Sequence, residues 1–181
     1  PTNAMLTVAV PNDGGVVRGT NYVVTWLVRV AATTHTVRLR YSPDDGASWQ
    51  TLATGLAATN RQYTWNTLIS TSSLFGLLRI QSEMDAGVQD DSDVYFMLRN
   101  TNFSFYVNDT NPVGDVYATG LGLATNTGLR SENPKDSVQG ILDAWDLEAG
   151  DIVYVDTGVY TGSLGRVEIG QLDGGSVATS T

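Results

Sequence analysis

Hydrophobic positions in the first hundred residues recur in short runs with a period of two, and turn-forming residues separate the runs. Thr36–Tyr41 alternates strictly, with Val37, Leu39 and Tyr41 on one face and Thr36, Arg38 and Arg40 on the other. Val23–Val28 is β-branched and aromatic; Gln62–Trp65, Leu77–Gln81 and Val94–Leu98 complete the clearer strands. Gly14-Gly15, Pro43-Asp44-Asp45-Gly46 and Asp90-Asp91-Ser92-Asp93 supply the breaks. Roughly seven strands over about 100 residues predict a mainly β domain built as a two-sheet sandwich.

The pattern changes after Asn100-Thr101-Asn102. Phe103–Val107 starts a second unit, and a loop rich in Asn, Gly, Thr and Asp runs from Asn108 to Asn133. Val138, Ile141, Leu142 and Trp145 then recur at helical spacing. With Pro134 at its start and Asp136 in its first turn, they predict an amphipathic helix over Asp136–Asp146, stopped by Gly150. Ile152–Val155 reads as a strand, Thr157–Tyr160 turns away, and Val167-Glu168-Ile169 begins another strand. The expected domains are therefore residues 1–100 and 101–181.

Charge narrows the partners. Lys and Arg number 10 against 19 Asp and Glu, for a net charge of −9. Such a balance argues against nucleic acid and against an anionic membrane surface. No apolar run reaches the roughly 20 residues of a membrane span, so membrane insertion is not expected. The absence of cysteine excludes disulfides, thiol catalysis and cysteine-bound zinc. An acidic, lysine-poor, Thr/Asn/Gly-rich chain suits an extracellular or bacterial cell-surface setting. Residues Pro1–Pro11 have neither the charged start nor the apolar centre of a signal peptide, and there is no initiator Met. The expectation is a segment processed or excised from a longer protein.

Two stretches resemble known families. Gly14-Gly15, Thr25-Trp26 and Tyr41-Ser42-Pro43-Asp44-Asp45-Gly46-Ala47-Ser48-Trp49 resemble the fibronectin-III-like (immunoglobulin-like) sandwich modules of secreted bacterial proteins. Ser42–Trp49 is also similar to the Asp-box hairpin of sialidase propellers, whose blades and arginine triad this chain lacks. Tyr106-Val107-Asn108-Asp109, Pro134-Lys135, the helix and Gly150–Tyr160 are similar to the opening of right-handed parallel β-helix proteins of the pectate-lyase-like class. That resemblance implies an amino-terminal cap with one amphipathic helix and about one coil, an incomplete stack. Its implied partners are further carboxy-terminal coils of its own or neighbouring copies. Where relatives carry an acidic loop suited to calcium, this chain has Gly120–Thr125, which counts against calcium there.

Candidate chemistry is sparse. His35 is the single histidine and stands beside a strand start with no indicated nucleophile or orienting acid, so a catalytic triad is not expected. Asp44/Asp45 and Asp143/Asp146 read as turn and surface acids rather than a glycosidase pair. Asp90, Asp91 and Asp93, or Asn108-Asp109 with Asp115, are oxygen-rich candidates for a hard cation such as calcium. Trp26, Trp49, Trp65 and Trp145 are expected in cores. Should their strands be neighbours, Arg38, Arg40 and Arg79 project from one outer face, joined by Tyr95 and Met97. That face suits an acidic glycan, the protein's own Asp residues, or packing against the second domain. Asn102-Phe103-Ser104 and Asn108-Asp109-Thr110 fit the N-glycosylation sequon.

These features lead to the expectation of a non-catalytic extracellular module of a larger cell-surface or secreted protein, serving assembly, adhesion or glycan contact. The alternatives are the amino-terminal part of a polysaccharide-degrading β-helix enzyme with its active site beyond Thr181, and a subunit of a surface filament or layer.

Overall fold

The computed structural model describes residues 6–29, 33–161 and 165–168. It is mainly β, with several sheets and one α-helix among the described residues, and divides into two compact units, Pro1–Thr101 and Asn102–Thr181.

The first unit contains strands β1 (Leu6–Val10), β2 (Val16–Val17), β3 (Tyr22–Val28), β4 (Thr36–Ser42), β5 (Gln50–Ala57), β6 (Gln62–Trp65), β7 (Ser73–Ser82), β8 (Gln89–Asp91) and β9 (Phe96–Leu98). One sheet runs β1-β3-β6; the other runs β2-β9-β7-β4-β5, with β8 also on β7. Alternation dictates what each strand buries. Leu6, Val8, Val24, Trp26 and Trp65 from the first sheet meet Val37, Leu39, Tyr41, Leu78, Ile80, Phe96 and Leu98 from the second in one core. At its centre Tyr41 lies 5.1 Å from Trp65 and 6.0 Å from Phe96, while Trp65 and Phe96 meet edge to face. The polar tips are satisfied: Trp26 Nε1 donates to Ala58 O, Trp65 Nε1 to Ser70 Oγ and Tyr41 OH to Thr71 O.

Several strands differ from the pattern read along the chain. β7 extends the expected Leu77–Gln81 in both directions, because Ser73 and Ser82 bury their hydroxyls by bonding backbone groups. β9 is shorter than Val94–Leu98, since Val94 only bridges Asp13 and Tyr95 turns outward. β1, β2, β5 and β8 escaped the pattern altogether. β5 is the clearest case: Gly55 and four alanine or threonine positions blur its alternation, yet it pairs with β4 as an edge.

In the second unit β10 (Ser104–Val107) and β11 (Ile152–Val155) pair in parallel, Phe105 opposite Val153 and Val107 opposite Val155. Helix α1 covers Val138–Ala144. It starts later than expected because Ser137, whose Oγ accepts from Gly140 N, caps it, while Pro134 and Lys135 lie in an extended segment that bridges Val107. It also ends earlier, at an extended Trp145, six residues ahead of Asp151 and well before Gly150 acts. Ile141, fully buried, anchors it. Residues 166–168 form no strand, and Ile169 lies outside the described residues.

Burial ranks the core positions energetically. Leu78→Ala is expected to cost about 2–5 kcal/mol in urea unfolding, whereas Leu27→Ala, at a position 60% exposed, should stay within about 0.5 kcal/mol.

Candidate functional site

The outer face of the second sheet gathers the arginines. β4 and β7 are antiparallel neighbours, with Arg40 directly opposite Arg79 and Arg38 opposite Gln81. Since Val37, Leu39, Tyr41, Leu78 and Ile80 point into the core, Arg38, Arg40, Leu77, Arg79 and Gln81 must point out. Like charges opposite one another are unfavourable in a sheet. Two neighbours offset this at Arg79. Asp91 on β8, its cross-strand partner, accepts from Nε at 2.6 Å and from Nη2 at 2.7 Å. The Trp49 ring lies under the same guanidinium, 4.0 Å from centroid to Cζ, with Arg40 farther off at 5.8 Å. Arg38 and Arg40 have no carboxylate at ion-pair distance among the described residues, and Arg38 Nε is enclosed without an acceptor.

Trp49 thus stands half-buried on this outer surface and not in the core. The hairpin before β5 fixes it there. Asp44 accepts from Ser42 Oγ, Ser48 N and Ser48 Oγ, and Gly46, at φ 80°, lets the chain turn while its carbonyl receives Trp49 Nε1. These bonds hold the Asp44 carboxyl below its usual range. Tyr95 is drawn to the same hairpin: its hydroxyl donates to Asp45 Oδ1 and its ring meets Phe75 edge to face. It stands at the far end of the face from Arg38, apart from the three arginines. Trp145 lies at the margin of its core, half-buried, with its ring 6.5 Å from that of the buried Phe105 and Nε1 donating to Thr127 O.

The acidic candidates are spread among separate partners. Asp90 Oδ2 accepts from Val8 N, Asp91 holds Arg79, and Asp93 accepts from Asn12 Nδ2. Burial, with Asp93 and Asp91 nearby, pushes the Asp90 carboxyl up. In the second unit Asp109 accepts from Asn111 N and Val159 N. Asp115 Oδ2 accepts from Asn108 Nδ2, which also donates to Gly120 O. That buried Asn108 amide is fully engaged, so the second sequon offers no accessible nitrogen. Gly122 packs so tightly on the Asn108 carbonyl that a Cβ has no room. No group of three or more His, Asp or Glu side chains at metal-holding distance occurs among the described residues.

Asp156 was not singled out by the sequence, although an acid directly after a strand and before Thr-Gly signals a turn. It is buried, and its two oxygens accept from Val116 N, Tyr117 N, Ala118 N and Thr157 N at 2.6–2.8 Å. Burial alone raises its pKa, but the four amides outweigh it and hold the carboxyl below its ordinary value. Tyr160, whose hydroxyl donates to Asp156 O, is pushed up to about 12 by burial and by the nearby Asp109, Asp156 and Asp115.

His35 Nδ1 lies 2.8 Å from Ser82 Oγ. Ser82 is fully buried and also accepts from Met84 N and Asp85 N, so its hydroxyl locks the turn after β7. Searches of protein-family models, curated proteins and solved structures find no match to this chain.

Because the folded Asp156 pKa is depressed, the stabilisation is complete above its ordinary value of 3.8 and is lost as pH falls through the depressed value. Asp156→Asn is expected to lower the stability of the second unit by roughly 1–3 kcal/mol near neutral pH and to flatten its acid transition. Thermal melts followed across pH, from neutral to strongly acidic, read both effects.

Proposed function

We propose that this chain is a non-catalytic extracellular module of a larger cell-surface or secreted protein, and that it serves assembly. In this reading the first unit is an immunoglobulin- or fibronectin-III-like sandwich, and the second is the cap and first coil of a right-handed parallel β-helix. The single observation that carries it is the parallel ladder of the second unit. The segment around Lys135, β10 and β11 lie side by side in that order, with Tyr106 and Tyr154 stacked at 5.5 Å across the ladder. Stacking of equivalent aromatic positions on parallel strands is what repeated coils produce.

The outer edge of β11 supports assembly in particular. Ile152 N and Asp156 N bond β10-side carbonyls, so the amides of Val153 and Val155 face the opposite way. Among the described residues β11 pairs with β10 alone, and Ile152 and Val155 are 48% and 42% exposed. Such an edge is a template for one more strand. The polysaccharide-lyase alternative has no comparable observation in its favour.

Association through this edge should make the apparent mass rise with protein concentration in sedimentation velocity. Val155→Lys, a charge on the edge, should return the chain to monomer with its fold intact. Monomer at every concentration in the unmodified chain would overturn the reading.

A further inference from the structure

The outer face of the first unit carries an inference independent of the assembly edge. Three of the chain's ten cationic side chains, Arg38, Arg40 and Arg79, stand together on it, and among the described residues Asp91 is the one carboxylate they pair with. In a chain of net charge −9, surface arginines have carboxylates in excess to pair with, yet Arg38 and Arg40 meet none among the described residues. The fold also accepts the cost of setting Arg40 opposite Arg79. Core burial sets that register, and the two guanidiniums it leaves without a carboxylate among the described residues are open to a partner from outside the chain.

The three arginines do not have equal roles. Arg79 is the most engaged, its guanidinium held between the bidentate Asp91 and the Trp49 ring. Asp91 takes two of its five N–H donors and the Trp49 ring covers its face, so its first role is to position Trp49 and the Asp44 hairpin against the sheet. Arg38 and Arg40, two residues apart on one strand, are separated by about 7 Å and aim the same way. With Arg38 Nε enclosed, its terminal Nη nitrogens are left to donate. Two guanidinium forks at that interval suit planar acceptors repeated along an extended chain.

The rest of the face selects among polyanions. It carries Thr51, Gln81 and Gln89 beside the Trp49 ring, and at one end the partly exposed Phe75 and Tyr95 rings, packed edge to face, add apolar surface. Hydroxyl and amide groups between charged contacts, with aromatic rings beside them, match a sugar ring with its hydroxyls and C–H faces. An acidic peptide uses the charges but not the rings. We propose that the Arg38/Arg40 face binds a carboxylated polysaccharide, with Arg38 and Arg40 gripping carboxylates along the chain and the Phe75–Tyr95 pair supporting a ring several units farther on.

The test is affinity electrophoresis and calorimetry of the whole chain with polygalacturonate at physiological ionic strength, where a screening length of about 8 Å confines the repulsion from the net negative charge. Val155→Lys serves as the background, so self-association does not enter. Retardation is expected, weakened about tenfold for each of Arg38→Ala and Arg40→Ala, as for loss of one charge-assisted bond. Phe75→Ala should weaken it less, and Asp109→Asn, in the other unit, should leave it unchanged. Arg38→Lys with Arg40→Lys keeps the charge and tests the fork geometry; it should also weaken binding, with the same thermal melt as the parent. The proposal is overturned if polygalacturonate does not retard the chain, if the lysine variant binds as well as the parent, or if polyglutamate binds equally and Phe75→Ala has no effect. That last outcome assigns the face to an acidic protein.

Discussion

The register between β4 and β7 is the constraint on which the first unit depends. Six consecutive pairs, from Val37–Ser82 to Ser42–Leu77, fix which side chains face the core and which face out. A slip of one residue turns Tyr41, Leu39 and Ile80 to solvent and the arginines inward, exchanging the largest apolar burial for uncompensated charge. Both ends of the pairing are pinned by hydroxyls that do not depend on hydrophobic burial. At one end Ser42 Oγ sits in the Asp44 hairpin, and at the other Ser82 Oγ gathers the following turn and His35. The arginine face is a consequence of this register, which explains how two guanidiniums without a carboxylate among the described residues persist beside each other: the interior decides their position.

The second unit solves a different problem. Among its described residues the apolar core is small, centred on Phe105, Val107 and Ile141, and most of them lie in loops. Backbone groups in such loops need partners that no ladder provides. Short acids and amides supply them: Asp156 clasps Val116–Ala118, Asn108 holds Asp115 and Gly120, Asn126 reaches Leu121 and Pro134, and Asp151 receives Phe103 N. The surplus of Asp that gives the chain its negative charge is here a source of hydrogen-bond acceptors for the backbone. Gly122 and Gly128 fit because the loops they occupy lie directly on neighbouring backbone and side chains.

Period-two patterning made β3, β4, β6 and the middle of β7 legible, since each buries alternate large residues, and the helical stripe at Val138, Ile141 and Leu142 was equally plain. What escaped lacked that contrast. β2 and β8 are two and three residues long, and β5 alternates small residues at an edge. The outward direction of Arg38, Arg40 and Arg79 followed from parity, but their partners did not. Asp91 reaches Arg79 through a cross-strand pairing invisible in the sequence, and Trp49 leaves the core because its hairpin delivers it to the opposite side of the sheet. Asp156 is the most consequential omission: its role comes from amides about 40 residues away, a distance that local spacing does not encode.

The bond between Ser82 and His35 favours one tautomer of the chain's single imidazole. Ser82 Oγ already accepts two backbone amides, so in the neutral ring its own hydrogen is best placed on His35 Nδ1. In the neutral ring the remaining hydrogen then belongs to Nε2. The nitrogen left for any visitor is a donor with no lone pair to offer. A ligand seeking coordination, or a hydroxyl seeking a base, finds it closed unless the turn after β7 first lets go.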